Sequence, residues 1–258
     1  MDNHCRTMLC TAGLVFLLTV AAEAGVGPGN SSSLCPEAKE CLQFDTICKT
    51  SGYEVRHYGP SRWVSTDAEA LFMEVGTTVA FRRLFSYITG ANSDGAIIDM
   101  TAPVLVKIPA EKRLKPTVYT LSFLLPSAYQ ENPPIPTNEK VYFTDMPDMT
   151  VYVRSYGGWM LSLTSRLHSH LLKKDLNSVQ ASYNSTYHYG AGYNSPRRLF
   201  HRHNELHHRH TKELVEKIRP PEEMVSASVR WSVFAQTRLA LFLMDTCVHP
   251  RWSDHITA

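Results

Sequence analysis

The stretch "YEVRHYGPSRWVS" (residues 53–65) decides how the chain is read. Tyr53, Val55 and Tyr58 favour extended backbone, and Gly59-Pro60 is a turn pair, so the segment predicts a strand that ends at that turn. Side chains alternate between the faces of a strand. Tyr53, Val55 and His57 therefore share one side, and Glu54, Arg56 and Tyr58 the other. The histidine stands on the less charged face, beside an aromatic ring and a valine. An imidazole there is either a ligand-holding group or a strand-edge histidine bonded to a neighbour or to water.

Outward from this strand the pattern alternates between sheet and helix. "TTVAFRRLFSYITG" (77–90) places Phe81, Leu84, Phe85 and Ile88 at i, i+3, i+4 and i+7, an apolar helix face closed by Gly90. "IIDMTAPVLVKI" (97–108) and "VYTLSFLLP" (118–126) alternate as half-buried antiparallel strands do. "PSAYQENPPIPTNEK" (126–140) carries four prolines and serves only as a connector. The plan then repeats. "KVYFTDMPDMTVYVRSYGGW" (140–159) gives two strands around Met146-Pro147-Asp148. A helix follows with Leu163, Leu167 and Leu171 at four-residue spacing, and "YHYGAGYNSP" (187–196) returns to strand and turn. Strands, helix and strands, twice over, predict an internally duplicated α+β fold.

The N-terminus is a different kind of segment. "MDNHCRTMLCTAGLVFLLTVAAEAG" has a basic residue, an apolar run and a small-x-small site at Ala22-Glu23-Ala24. Residues 1–24 are therefore expected to be a secretory signal peptide cleaved before Gly25. Cleavage leaves 25 Lys and Arg against 22 Asp and Glu, a net charge of +3 that is too mild to point to nucleic acid. No later segment holds 18 uninterrupted apolar residues, so no stable membrane span is expected and the chain is placed outside the cell. Four cysteines remain, Cys35, Cys41, Cys48 and Cys247, and an oxidising compartment favours disulfides. The close trio favours one local staple, with the third cysteine reaching Cys247 or staying free. Asn30-Ser31-Ser32 and Asn184-Ser185-Thr186 are glycan acceptor tripeptides. "GVGPGNSSS" (25–33) reads as the start of a flexible leader over 25–40.

The blocks "YEVRHYGPSRWVS", "AFRRLFSYITGAN", "IDMTAPVLV", "PPIPTNEKVYF", "VYVRSYGGW" and "YHYGAGYNSP…NE" together resemble the SOUL family of haem-binding proteins, above all its haem-binding protein 2 branch. They follow the family's order from about residue 41 to residue 205, giving a domain over 41–210. The resemblance implies a distorted antiparallel β-barrel flanked by two α-helices, in two pseudo-symmetric halves. It implies non-covalent binding of haem or another tetrapyrrole and no firmly attached reaction. It also implies that His57 is the axial ligand to haem iron. A haem cleft would need apolar walls and cations for the propionates, and Phe81, Phe85, Arg82, Arg83 and Arg198 are the candidates. The plain alternative is that the aromatics are core and the arginines a solvated face. The cleft is expected between the opening ribbon and the first helix.

The chain departs from the pattern after "NE". The family continues into an N-E-V-W strand, whereas "NELHHRHTKEL" brings in His201, His203, His207, His208 and His210. The expectation is that the last strand is lost and an edge left open. If helical, this segment would align His203, His207 and His210 at a spacing that suits zinc or copper; a solvated basic tail is the simpler reading. Residues 211–258 form an atypical tail in which Val225, Ala227, Val229, Trp231 and Val233 alternate with polar residues as a strand would. The second functional class is a protein-interaction module docking through the second helix, as cell-death-linked relatives imply, with its protein partners unknown. An enzyme ranks last, since no G-x-S-x-G, H-E-x-x-H or Walker spacing occurs.

Overall fold

Eleven strands and two α-helices make up a computed structural model that describes residues 25–29, 34–110 and 115–211. Val26–Pro28 (β1) pairs with Glu40–Leu42 (β2) in a small ribbon. The remaining strands form one curled antiparallel sheet. They are Asp45–Lys49 (β3), Glu54–Tyr58 (β4), Ser61–Ala70 (β5), Val104–Pro109 (β6), Thr117–Leu124 (β7), Val141–Met146 (β8), Met149–Gly157 (β9), Tyr187–Gly192 (β10) and His203–Arg209 (β11). Met73–Ile88 (α1) follows β5, and Ser162–Ser178 (α2) follows β9.

The spatial order is β3-β4-β9-β11-β10-β6-β7-β5-β8. Around its centre, between β10 and β6, the two chain halves mirror each other. The first half supplies β6, β7 and β5, the second β10, β11 and β9, and each lends its opening strand, β4 or β8, to the far end of the other. The duplicated α+β architecture expected from the sequence is thus present as a half-barrel of nine strands. The strand expected over 97–108 is shorter than its alternation: the continuous ladder begins at Val104, and before it Ile97 and Ala102 make only isolated bridges to Thr89 and Cys41.

Two expectations are corrected. The leader is not loose over its described part: Gly25 N–H donates to Pro60 O at 3.0 Å, Gln43 N–H donates to Gly25 O at 2.7 Å, and Cys35 is disulfide-bonded to Cys41. Both cysteines are buried in a cluster with Leu42, Trp63 and Tyr58, so burial and the staple overcome the leader's Gly-Ser composition. Nor is the last strand lost. The histidine-rich segment is itself β11, held between β9 and β10 at the heart of the sheet. A neutral imidazole is flat and aromatic, so it can stand where a larger ring would, provided its nitrogens find partners. His207 lies beside the Tyr58 ring, and His208 meets Tyr183 edge-on while its Nδ1 is 3.1 Å from Asn184 O. Strand alternation sends His207 and His208 to opposite faces, so the helical metal-binding spacing does not exist. No group of three His, Cys, Asp or Glu suited to a metal ion occurs among the described residues.

The more charged face of β4 is as well buried as the other. Arg56 is 2% exposed and donates through Nη1 and Nη2 to Glu205 of β11 at 3.0 and 2.9 Å. Tyr193 Oη, His203 Nε2 and His207 Nε2 also donate to that carboxylate, at 2.8, 2.9 and 2.9 Å. Burial alone would raise the Glu205 carboxyl, but the two histidines and Arg56 hold it well below the usual range. Removing one partner of such a buried pair costs about 3–5 kcal/mol, because a charge is left uncompensated. Among the described residues no helix is long and apolar enough to cross a membrane.

Candidate functional site

α2 does not bury its leucine stripe. Leu163 and Leu167 are exposed, while Ser165, Ser169, Leu172 and Leu176 face the sheet. Ser162, Ser165, Arg166, Ser169, His170 and Lys173 recur at helical spacing and so share one face. That face walls a cavity of about 490 Å³. The opposite wall is mainly apolar: Leu71 and Met73 at the start of α1, Ile108 and Pro109 of β6, and Tyr119 of β7. His188 of β10 lies alongside, next to Ile108 in the β6–β10 register. Small serines let the helix come close without filling the space beneath it.

The start of α2 is held in place by α1. Ser162 N–H and Oγ donate to the Glu74 carboxylate at 2.7 and 2.6 Å, an acidic group at a helix N-terminus contributed from another helix. Burial opposes ionisation of Glu74, yet these bonds and the nearby Arg166 lower its pKa. On the sheet side, Ser165 Oγ and His188 Nε2 are 3.2 Å apart, and Ser169 Oγ and His208 Nε2 are 3.4 Å apart. Burial, then the neighbouring His208 and Lys173, push the His188 imidazole down to about 3. His188 is therefore neutral at physiological pH, and its buried Nδ1 makes no hydrogen bond. The cavity joins an apolar wall, a hydroxyl-lined helix face with cations at Arg166 and Lys173, and two imidazoles. It suits a ligand with a large apolar body and acidic substituents.

None of the six residues singled out from the sequence lines this cavity. His57 shares a face with Tyr53 and Val55, as alternation requires, but its Nε2 donates to Asp148 at 2.8 Å and its Nδ1 lies 4.0 Å from Asp45. Phe81 and Phe85 stack on each other at 5.8 Å, with Phe81 edge-on to Phe123 and Phe85 about half exposed. Arg82 is exposed on α1. Arg83 donates to Asp67 O at 2.7 Å and lines a shallower depression with Val79, Val118 and Lys140. Arg198 is paired with Glu37 at 2.7 Å. The structure thus scatters these groups: the cavity described above opens beneath the second helix, and the depression at Arg83 lies between β5, which carries on from the opening stretch, and the first helix. The Ser, Arg, His and Lys residues of α2 were missed because the leucines drew the reading to the other face; their own 3–4-residue spacing was the signal available.

A curled antiparallel half-barrel with two helices packed on it, one of them over an amphipathic cavity, defines an α+β domain. The profile described as SOUL heme-binding protein matches residues 39–209. Heme-binding protein 2 of Homo sapiens is 35% identical over 201 residues, which cover 76% of this chain and 95% of that protein. Heme-binding protein 2 of Mus musculus is 34% identical over 185 residues, covering 71% and 90%. Heme-binding protein 1 of Xenopus laevis is 30% identical over 156 residues, covering 60% and 81%. The chain belongs to the SOUL heme-binding family.

Proposed function

We propose that the chain binds haem or a related tetrapyrrole non-covalently in the cavity beneath α2, and that it buffers or carries this ligand outside the cell. The observation that carries the reading is the cavity's two-sided chemistry. The wall of Leu71, Met73, Ile108, Pro109 and Tyr119 suits the flat apolar macrocycle, and Arg166 and Lys173 suit its propionates. A bound haem would supply iron, for which neutral imidazole nitrogen is a good donor, and the cavity offers His170 and His188. His57 would have to surrender its bond to Asp148 to serve instead.

Titration of the purified 25–258 chain with haemin and with protoporphyrin tests this directly. Both are expected to shift their Soret bands and saturate near one ligand per chain. The Arg166→Glu/Lys173→Glu double variant should bind at least about tenfold more weakly, the loss of one or two charge-assisted contacts. His57→Ala should leave the spectrum unchanged. An unaltered Soret band, or a double variant that binds like the parent, would overturn the assignment. Export is checked separately, by finding the chain in the medium of expressing cells with Gly25 at its N-terminus.

A protein-docking role remains a second reading, favoured by one feature: Leu163 and Leu167 are 78% and 54% exposed beside exposed Trp159 and Leu161. A Leu163→Ser/Leu167→Ser variant that binds haemin normally but loses a cellular activity of the parent would favour it.

A further inference from the structure

Six large apolar side chains stand exposed on two neighbouring segments. Trp159, Leu161, Leu163 and Leu167 lie just before and within the first turns of α2, and Leu199 and Phe200 lie in the connection from β10 to β11. Gly157 of β9 pairs with His203 of β11, so both segments join the sheet at the same end. Asn204 Nδ2 donates to Gly158 O at 2.7 Å across that junction. Arg202 fastens the two segments together. Its guanidinium stands 4.2 Å over the Trp159 ring while donating to Asn194 O, Ser195 O and Arg198 O at 3.2, 2.9 and 2.6 Å. The apolar patch is therefore built into the fold, and exposed apolar patches of this kind mark interaction surfaces.

The charge around the patch has one sign. No Asp or Glu occurs from Gly157 to Lys174 or from Tyr193 to Asn204, whereas Arg166, Lys173, Lys174, Arg197, Arg198 and Arg202 supply six cations. Carboxylates from elsewhere answer two of them: Glu37 pairs with Arg198, and Glu74 lies near Arg166. Arg197 and Lys174 are exposed, and Lys174 continues the outer stripe of Leu163 and Leu167 at helical spacing. Apolar side chains interleaved with cations suit a bilayer surface that carries anionic lipid. The apolar groups enter the boundary of the acyl chains, and the cations meet the headgroups. A tryptophan is favoured at that depth, where its ring can be dry and its N–H wet. A protein partner fits less well, because charge of one sign spread through the patch would demand an equally one-sided partner.

We propose that this end of the sheet docks the protein peripherally on a bilayer containing anionic lipid. Leu163 and Phe200 enter the acyl boundary, and Arg197 and Lys174 lie at the headgroups. The proposal is independent of tetrapyrrole binding.

Co-sedimentation with lipid vesicles tests it, using the 25–258 chain so that the apolar run ahead of Gly25 does not itself partition. Vesicles of phosphatidylcholine are compared with an equal mixture of phosphatidylcholine and phosphatidylserine. Binding to the mixture should be at least about tenfold tighter, and should weaken in about 1 M salt. Leu163→Ser/Phe200→Ser and Lys174→Glu/Arg197→Glu should each weaken it at least about tenfold. All four side chains are exposed, so both variants should keep the parent's urea midpoint. Failure to bind the mixed vesicles, or equal binding to phosphatidylcholine alone, overturns the proposal. Either variant binding as the parent does also overturns it, since the contact then lies elsewhere in the chain. A parent that ignores vesicles but self-associates, and is split by Leu163→Ser/Phe200→Ser, assigns the patch to a second copy instead. Loss of a protein partner from that variant, with vesicles unbound by the parent, assigns it to protein docking.

Discussion

α1 and α2 occupy equivalent places in the two chain halves yet meet the sheet with opposite chemistry. α1 buries Met73, Ala80, Leu84, Tyr87 and Ile88 against an apolar surface that includes Val106, Leu121 and Phe123. α2 starts with Ser165 and Ser169 over His188 and His208, and only its later turns bury Leu172 and Leu176. A helix seated on hydroxyls and imidazoles gives up dispersion and transfer energy that leucines would provide. It gains a face that lines a cavity. The difference shows how a duplicated fold keeps one copy for stability and lets the other hold open a cavity.

The contrast breaks if the helices respond alike to truncation. Leu84→Ala should destabilise the domain by about 2–5 kcal/mol, as buried leucines do, read from urea unfolding. A cost under about 1 kcal/mol would mean that α1 is not the load-carrying copy.

Acid sharpens the contrast, because the imidazoles lie under α2. Burial, then His208 and Lys173, lower His188 to about 3; burial also dominates at His208, lowered to about 4. The unfolded chain takes up these protons first, so this stability is complete above the ordinary histidine pKa and is lost as pH falls toward the folded values. Each histidine should forfeit about 2 kcal/mol near pH 5. Thermal unfolding across that range should slope downward, and His188→Gln should flatten it. A flat parent profile would contradict the burial of the two rings.

The smallest effect is expected on the outer face of α2. Leu163→Ala should change stability by less than about 0.5 kcal/mol, since its side chain is 78% exposed. If it costs as much as Leu84→Ala in the same urea series, the two faces of α2 have been exchanged.

Legibility followed local chemistry. The end of β8 and the start of β9 on either side of Met146-Pro147-Asp148 could be read directly, because turn residues and period-two alternation are properties of adjacent positions. That the two strands then pair with different partners, β8 with β5 and β9 with β4 and β11, could not. The halt of α1 near Gly90 could be read too, and the structure gives that glycine φ +113°, a conformation closed to most side chains. β11 could not. Its histidines resemble a solvated tail until Arg56, Tyr193 and Asn184, distant in the chain, supply partners for Glu205 and the rings. The candidate site was less visible still, since Arg166 and Lys173 look like ordinary surface cations unless Tyr119 and Ile108 are known to face them.

By itself, the order of residues determined the repeated strand–helix–strand plan, the turns and the family, all of which depend on neighbours or on short blocks read in series. Only the tertiary structure decided which face of α2 turns inward, that Arg56 is buried while His57 bonds to Asp148, and that a histidine-rich strand lies at the centre of the sheet. The physical reason is that burial is a property of pairs of surfaces. A side chain's hydrophobicity states what it prefers, and the partner that folding brings to it determines where it goes.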